Sequence, residues 1–171
     1  MSDELEQLSQ RCGELLLAKG WTISTAESCT GGWIAQSLTS VSGSSQWFET
    51  GFVTYSNEAK QRLLNVPSRF FTGDNAPGAV SEEVVLAMAE GALLAAGANV
   101  SVVTSGVAGP AGGSPEKPVG TVWIAWAYRR ETNAKPQLKA SLFHFAGDRK
   151  SIRKQSVIEG LSGVLELLEL P

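Results

Sequence analysis

The segment 100–104, Val-Ser-Val-Val-Thr, constrains the fold more strongly than any other stretch of the chain. Valine favours strands because its branched side chain packs well on a pleated surface, and the segment carries no charge. A strand of this composition suits a central position in a sheet that is covered on both faces. The segment therefore predicts a sheet with helices on either side of it.

Helical and strand-like segments alternate along the rest of the chain. Apolar residues at helical spacing predict helices over 4–18, 33–38, 57–64, 84–96 and 148–170, with starts at Ser81 for the fourth and at Asp148 for the fifth. Strands are predicted over 21–26, 47–55, 100–104, 120–128 and 139–145. This alternation predicts an α/β protein, and the polar connection 129–137 predicts that its last two strands form an antiparallel pair.

The bulk composition narrows the possible functions. The chain has 171 residues, of which 43% are hydrophobic and 18% charged, and this fits one ordinary globular domain over 1–171. No apolar run approaches the roughly 18 residues of a membrane span, and the first ten residues are acidic where a signal peptide would be basic. We therefore expect a cytoplasmic protein with no membrane partner.

Charge and metal-ligand content exclude two further classes. A net charge of -3 disfavours a nucleic-acid partner, because such binding depends on many clustered lysines and arginines. Cys12 and Cys29 are the only cysteines and His144 is the only histidine, which is too few for a disulfide framework or a zinc cluster. We expect no metal and no cofactor.

The first candidate site is the segment 25–32, where a strand is predicted to end and a helix to begin. Ser28 would lie near backbone N–H groups at the positive end of the helix dipole, and amides of Thr30, Gly31 and Gly32 could hold an oxyanion there. Such a serine could be a nucleophile, although composition alone favours Ser28 or Thr30 as a plain helix cap. A serine hydroxyl also needs a base to activate it.

The second candidate site, at the next strand end, supplies a possible base. Tyr55 and Lys60 flank the start of a predicted helix and could face the same pocket as Ser28. Lysine acts as a base when burial lowers its pKa, whereas tyrosine starts near 10. Each could instead be an ordinary surface residue, and the sequence leaves open which of the two accepts the proton.

The third candidate is the segment 106–120, which is rich in glycine and proline. Backbone amides around Ser105, Gly106, Ala108 and Gly109 could cradle a phosphate, and Arg149 could pair with the same anion. The segment lacks the lysine and hydroxyl ending of a P-loop and the spacing of a dinucleotide fingerprint. A generic surface loop is the alternative interpretation.

Taken together, the segments 25–32, 43–60, 106–120 and 147–149 resemble the CinA carboxy-terminal domain family over nearly the whole chain. The resemblance implies a three-layer α/β/α sandwich around a mixed, mostly parallel sheet of about five or six strands. It further implies a catalytic serine at Ser28, with Lys60 and Tyr55 beside it. Ser105, where many relatives have threonine, and Arg149 would match substrate-contacting positions.

Stand-alone members of this family are nicotinamide-nucleotide amidases, so the resemblance implies conversion of nicotinamide mononucleotide and water into nicotinate mononucleotide and ammonia. The sequence has no counterpart of the amino-terminal domain of longer members, and we expect its pyrophosphatase activity to be absent. We expect a homo-oligomer. Two alternatives stay open: Cys29 as the nucleophile, or a regulatory module that binds the nucleotide without hydrolysing it.

Overall fold

A five-stranded sheet forms the centre of the computed structural model, which describes residues 3–171. Its strands are β1 (Ile23–Glu27), β2 (Phe48–Val53), β3 (Val100–Gly106), β4 (Thr121–Tyr128) and β5 (Gln137–His144). The helices within the described residues are α1 (Glu4–Lys19), α2 (Trp33–Thr39), α3 (Asn57–Leu64), α4 (Glu82–Ala96) and α5 (Arg149–Leu168). Short 3₁₀ turns lie at Ser44–Gln46 and Ser68–Phe70.

The strand directions make the sheet mixed and mostly parallel, as expected. The strand order is β2-β1-β3-β4-β5, with β1 parallel to both of its neighbours and β4 antiparallel to both of its own. All strands except β4 therefore run in one direction. The predicted antiparallel pair is confirmed as β4 and β5, whose pairing runs from Thr121 opposite His144 to Tyr128 opposite Gln137.

Helices cover both faces of the sheet, which confirms the three layers. On one face α1, α2 and α5 pack together, and Val100 and Val102 of β3 lie in the buried cluster beneath them. On the other face α4 packs on the sheet with α3 beside it, and Val103 belongs to that second cluster. Because successive strand residues point to opposite faces, β3 contributes to both clusters from the middle of the sheet.

Side-chain caps begin most of the helices where the sequence predicts. Ser81 caps α4 by accepting the N–H of Val84, and Asp148 caps α5 by accepting the N–H of Ser151 at 2.9 Å. Both predicted starts are confirmed. In contrast, α2 begins at Gly32 without a side-chain cap from that residue. Its first N–H groups must find their acceptors elsewhere.

Most strand ends differ from the predicted ones by one or two residues, and two of these differences have a clear structural cause. The first strand begins at Ile23 and not at Trp21, because the Trp21 N–H still donates to a carbonyl of α1, at 3.0 Å. Strand β3 continues past its predicted end, because Ser105 and Gly106 go on pairing with β4. The glycine-rich segment therefore starts as strand and becomes loop only after Gly106.

The two cysteines and the single histidine lie on separate elements. Cys12 in α1 and Cys29 after β1 are both buried free thiols, and His144 lies exposed on the edge strand β5. In the part of the chain that the structure describes, no group of three or more histidine, cysteine and acidic side chains could hold a metal ion. Over residues 3–171 there is likewise no helix with the length and apolar character needed to cross a bilayer.

Candidate active site

The carboxyl ends of β1, β2 and β3 lie side by side because the three strands are parallel neighbours. Glu27 at the end of β1 pairs with Val53 at the end of β2 and with Thr104 of β3. The segments that follow these strands meet at this edge, where open α/β sheets bind their ligands. They surround a cavity of about 270 Å³. The predicted site residues in its wall are Ser28, Tyr55, Lys60, Ser105, Gly106, Ala108, Gly109 and Arg149.

Lys60 lies directly against Ser28 in this cavity. Its Nζ is 3.0 Å from Ser28 Oγ, 2.7 Å from the carbonyl oxygen of Thr54 and 3.2 Å from that of Tyr55. The lysine sits in the first turns of α3, and helical side chains point toward the helix N-terminus. Lys60 therefore reaches back to the two carbonyls that precede its own helix. Its side chain is only 1% exposed.

Lys60 Nζ donates to three oxygens, and the same contacts can also hold its neutral amine. The two carbonyl oxygens can only accept, so they fix two N–H bonds of the amine, and a neutral nitrogen then directs its lone pair at Ser28 Oγ. Burial lowers the pKa of Lys60 from 10.5 to about 8, because the charged form loses its hydration. The arrangement allows Lys60 to accept the Ser28 proton near neutral pH.

The side chain of Tyr55 is directed away from this pair and toward Arg149. Its hydroxyl accepts a hydrogen bond from Arg149 Nη2 at 3.1 Å, and Arg149 Nη1 donates to the Gly109 carbonyl at 2.7 Å. The tyrosine side chain is 59% exposed. Tyr55 thus contacts Lys60 only through its backbone carbonyl. Its phenol bridges to the arginine across the cavity mouth.

The glycine-rich segment forms a folded wall of the cavity. The Val107 N–H donates to the Thr121 carbonyl and the Gly120 N–H donates to the Val107 carbonyl, each at 2.8 Å, so the two ends of the segment are joined. Gly109 has a φ of 76°, and a Cβ there would lie 2.5 Å from Val119 Cγ1. Only glycine fits this position without displacing the loop.

The segment 70–80 lies beside this wall. The Ser105 hydroxyl donates to the Ala79 carbonyl at 2.9 Å, and Lys117 Nζ donates to the Pro77 carbonyl at 2.6 Å. Ala79 and Val80 line the cavity. Ser105 therefore holds the segment that completes the cavity, in addition to lining it.

Thr30, Gly31 and Gly32 lie outside the cavity wall. The Thr30 hydroxyl donates to Glu27 Oε1 at 2.6 Å, and the Gly31 N–H donates to the Ser28 carbonyl at 3.0 Å. The structure thus brings the other predicted residues together, whereas these three lie in the turn beside the cavity, where the Thr30 hydroxyl and the Gly31 N–H are engaged.

Comparison with known proteins agrees with the resemblance. The family model described as the CinA C-terminal domain matches residues 5–168. The chain belongs to the CinA C-terminal domain family. It is 50% identical over 165 residues to the nicotinamide-nucleotide amidohydrolase PncC of Pseudomonas putida, which covers 96% of this chain and 98% of that protein. It is 51% identical over 158 residues to the protein of the same name from Escherichia coli K12, covering 92% and 91%.

Solved structures show the same fold. The competence/damage inducible protein CihA from Agrobacterium tumefaciens has a TM-score of 0.89 at 39% identity, over 98% of this chain and 97% of that one. This CinA C-terminal domain thus shares both sequence and architecture with its relatives along nearly its full length.

Two charged residues that support the Ser28 turn of this CinA C-terminal domain were missed by sequence reasoning. Glu27 is fully buried, and Arg153 donates to the carbonyls of Cys29 and Thr30 at 3.1 Å each. A carboxylate at the end of an apolar strand is a sequence signal, since buried acids are rare without partners. Arg153 gave no such signal, because it resembles the other cations on the first turns of α5.

Cys29 has the opposite properties to those of a reactive thiol. It is 6% exposed, and burial raises its pKa to about 11. A nucleophilic cysteine needs a lowered pKa, because the thiolate is the reactive form. The geometry therefore favours Ser28 over Cys29 as the nucleophile in this CinA C-terminal domain.

The buried amine of Lys60 predicts a pH dependence of stability. Because its pKa falls from 10.5 to about 8 on folding, the unfolded chain binds more protons than the folded one between these values. Stability should therefore rise with pH across this window, by about 3 kcal/mol relative to Lys60→Met. Urea unfolding of both proteins at pH 7 to 10.5 measures the difference, and parallel pH curves would contradict a lowered pKa.

Proposed function

We propose that this protein is a nicotinamide-nucleotide amidase that uses Ser28 as nucleophile and Lys60 as base. The names of its relatives support the substrate, since the PncC proteins from Pseudomonas putida and Escherichia coli are nicotinamide-nucleotide amidohydrolases. The observation that carries the mechanism is the 3.0 Å contact between Lys60 Nζ and Ser28 Oγ. A buried amine next to a serine hydroxyl forms a nucleophile–base pair.

In the first half-reaction, the neutral amine of Lys60 accepts the hydroxyl proton as Ser28 Oγ attacks the carboxamide carbon. The resulting lysine ammonium then gives this proton to the amide nitrogen. The carbon–nitrogen bond breaks, ammonia leaves and a nicotinoyl ester remains on Ser28. The carbonyls of Thr54 and Tyr55 hold the amine in place during both transfers.

In the second half-reaction, water replaces ammonia in the cavity. Lys60, neutral again, accepts a proton from water as its oxygen attacks the ester carbon. The ester bond breaks and Lys60 returns the proton to Ser28 Oγ. Nicotinate mononucleotide leaves, and the enzyme is restored without any change in the protonation of its two catalytic residues.

The tetrahedral intermediates need N–H donors for their oxyanion. Gly31 and Gly32 lie outside the cavity wall and the Gly31 N–H already donates to the Ser28 carbonyl, so the mechanism does not use them. The N–H groups of Ala108 and Gly109 belong to the cavity wall and have no acceptor among residues 3–171. We assign oxyanion stabilisation to these two.

The substrate phosphate is assigned to Arg149. Its guanidinium donates to the Gly109 carbonyl and the Tyr55 hydroxyl, both uncharged, and within residues 3–171 the single ion pair is Arg11 with Glu14. The charge of Arg149 is thus uncompensated at the cavity mouth, and arginine binds phosphate well. The cavity of about 270 Å³ lies at the small end of ligand pockets, which favours a mononucleotide over a dinucleotide.

We infer a cytoplasmic homo-oligomer, and two buried free thiols support a reducing compartment. Exposed Leu63, Leu94 and Leu138 surround an apolar groove between α3 and α4, which would support self-association.

The serine mechanism predicts that Ser28→Ala stops ammonia release from nicotinamide mononucleotide. Loss of the nucleophile should reduce kcat/KM by at least about 10³-fold. Lys60→Met should have a similar effect because no base remains, whereas Cys29→Ala should retain activity. Coupled detection of ammonia measures all four proteins. Comparable rates for wild type and Ser28→Ala would remove Ser28 from the mechanism, and tight binding without ammonia release by wild type would select the regulatory module.

The phosphate assignment predicts a selective effect of Arg149→Met. Loss of a charge-assisted contact should raise KM for nicotinamide mononucleotide by about 10- to 100-fold. It should leave KM for nicotinamide riboside, which lacks the phosphate, nearly unchanged. Lys150→Met, an exposed cation next in the chain, is the matched control and should behave as wild type. An equal rise in KM for both substrates in Arg149→Met would place the phosphate elsewhere.

A further inference from the structure

The turn that carries Ser28 spans residues 28–32. The buried carboxylate of Glu27 holds this turn by hydrogen bonds on the side that faces the protein core. Glu27 Oε1 accepts the Thr30 hydroxyl at 2.6 Å and the Ile34 N–H at 2.8 Å, and Oε2 accepts the Ala35 N–H at 3.1 Å. Burial raises the pKa of this carboxyl, and the backbone of Gly32 is among the groups that oppose the rise. Residues on both sides of the serine are therefore joined through one side chain. The carboxylate also takes the place of the missing N-cap of α2.

A second hydroxyl extends this inner network to the neighbouring strand. Thr104 Oγ1 of β3 lies 2.8 Å from Thr30 Oγ1, and both side chains are fully buried. Because the Thr30 hydroxyl donates to Glu27, the hydroxyl of Thr104 must be the donor to Thr30. The Ser28 N–H donates to the Thr104 carbonyl at 3.1 Å. The turn is thus fixed to the sheet as well as to α2.

The same turn is held from the outside by an arginine of α5. Arg153 Nε donates to the Cys29 carbonyl and Nη2 to the Thr30 carbonyl, at 3.1 Å each. Its guanidinium also lies over the Trp33 ring, 5.7 Å from the ring centre. Backbone N–H groups after the turn therefore donate to the Glu27 carboxylate, and carbonyls of the turn accept from the Arg153 guanidinium. Neither Glu27 nor Arg153 lines the cavity.

We propose that Glu27 and Arg153 are positioning residues that set Ser28 Oγ at hydrogen-bond distance from Lys60 Nζ. This inference rests on the proposed function for its catalytic meaning. A buried carboxylate is costly unless it is fully hydrogen-bonded, and here every bond that it accepts fixes the serine turn or the helix after it. A nucleophile misplaced by about 1 Å reacts roughly 10²-fold more slowly.

The chemistry of each substitution predicts the direction of its effect. In Glu27→Gln, one side-chain oxygen becomes an NH₂ group, which must face an N–H or hydroxyl donor that it cannot accept. In Arg153→Lys, the charge remains but one group can no longer bind two carbonyls in a fixed geometry. Both variants should leave KM for nicotinamide mononucleotide within about twofold, because neither side chain contacts the cavity. Both should lower kcat by about 10-fold or more.

The decisive readout is the rate at which Ser28 reacts with a fluorophosphonate. Ser28 Oγ forms a bond to phosphorus, fluoride leaves, and Lys60 accepts the hydroxyl proton, so the reaction reports the serine–lysine geometry without the nucleotide. Intact-mass measurement gives both a rate constant and a final extent. A positioning role lowers the rate constant while all molecules still react to completion. A merely structural role lowers the final extent and leaves the rate constant unchanged.

Two remote substitutions are the matched controls. Asp3→Asn alters the carboxylate that caps α1 by accepting the Glu6 N–H, and Arg129→Lys alters a buried arginine that donates to the Ala98 carbonyl. Both should react with the fluorophosphonate at the wild-type rate. Arg153→Met should react more slowly than Arg153→Lys, because lysine restores part of the contact.

The outcomes separate this inference from the proposed function. A rate constant within twofold of wild type in folded Glu27→Gln and Arg153→Lys would overturn it. If Glu27→Gln does not fold, Arg153→Lys alone decides, because its side chain is only half-buried. If wild type modifies Ser28 but releases no ammonia from nicotinamide mononucleotide, the proposed substrate is wrong. In that case slower modification in the two variants still supports the positioning role.

Discussion

A single buried amine connects the parts of this structure that matter for its chemistry. Lys60 Nζ lies in an almost fully enclosed position between two backbone carbonyls and the Ser28 hydroxyl, at 2.7 to 3.2 Å from each. An unpaired ammonium is unfavourable there, and burial brings its pKa to about 8. In the proposed mechanism, the rest of the site positions Ser28 against this amine or binds the substrate.

Tyr55 links the two functional ends of the cavity. Its backbone carbonyl accepts from Lys60 Nζ, while its hydroxyl accepts from Arg149. Arg149 in turn contacts the carbonyl of Gly109 in the glycine-rich wall. A substrate with an amide at one end and a phosphate at the other could therefore contact Lys60 with the amide and Arg149 with the phosphate. Tyr55 helps to set the distance between these two side chains. The hydrogen bond to Arg149 gives the Tyr55 hydroxyl a contact other than the one that a base for Ser28 would need.

The fold could be predicted from the sequence because local signals agreed with one another. The valine-rich segment at 100–104 predicted a central strand, and Ser81 and Asp148 marked helix starts that the structure confirms. Parallel strand ends meet at one edge, so Ser28 and Lys60 could be expected in one pocket. The errors were at element ends, as at Trp21, where helix and strand signals meet.

Two features of the site could not be predicted in the same way: which side chain faces Ser28, and which hydrogen bonds hold the turn that carries it. Whether Lys60 or Tyr55 faces Ser28 depends on side-chain direction, which spacing along the chain does not fix. Thr30 to Gly32 were expected to offer free amides to the substrate, but they lie outside the cavity wall and the Gly31 N–H donates to the Ser28 carbonyl. Such contacts depend on tertiary packing, and Arg153 reaches them from a helix more than a hundred residues away in the chain.

Direct titration of the Lys60 amine by NMR tests the central claim most closely. With ¹³C-labelled lysine, the Cε signal that disappears in Lys60→Met belongs to this residue, and its shift can be followed from pH 6 to 11. The account predicts a midpoint near the value of about 8 that burial imposes on the pKa of Lys60. A midpoint at about 10.4, as for an exposed lysine, would contradict the account, because almost none of the amine would then be neutral near pH 7 to accept the Ser28 proton.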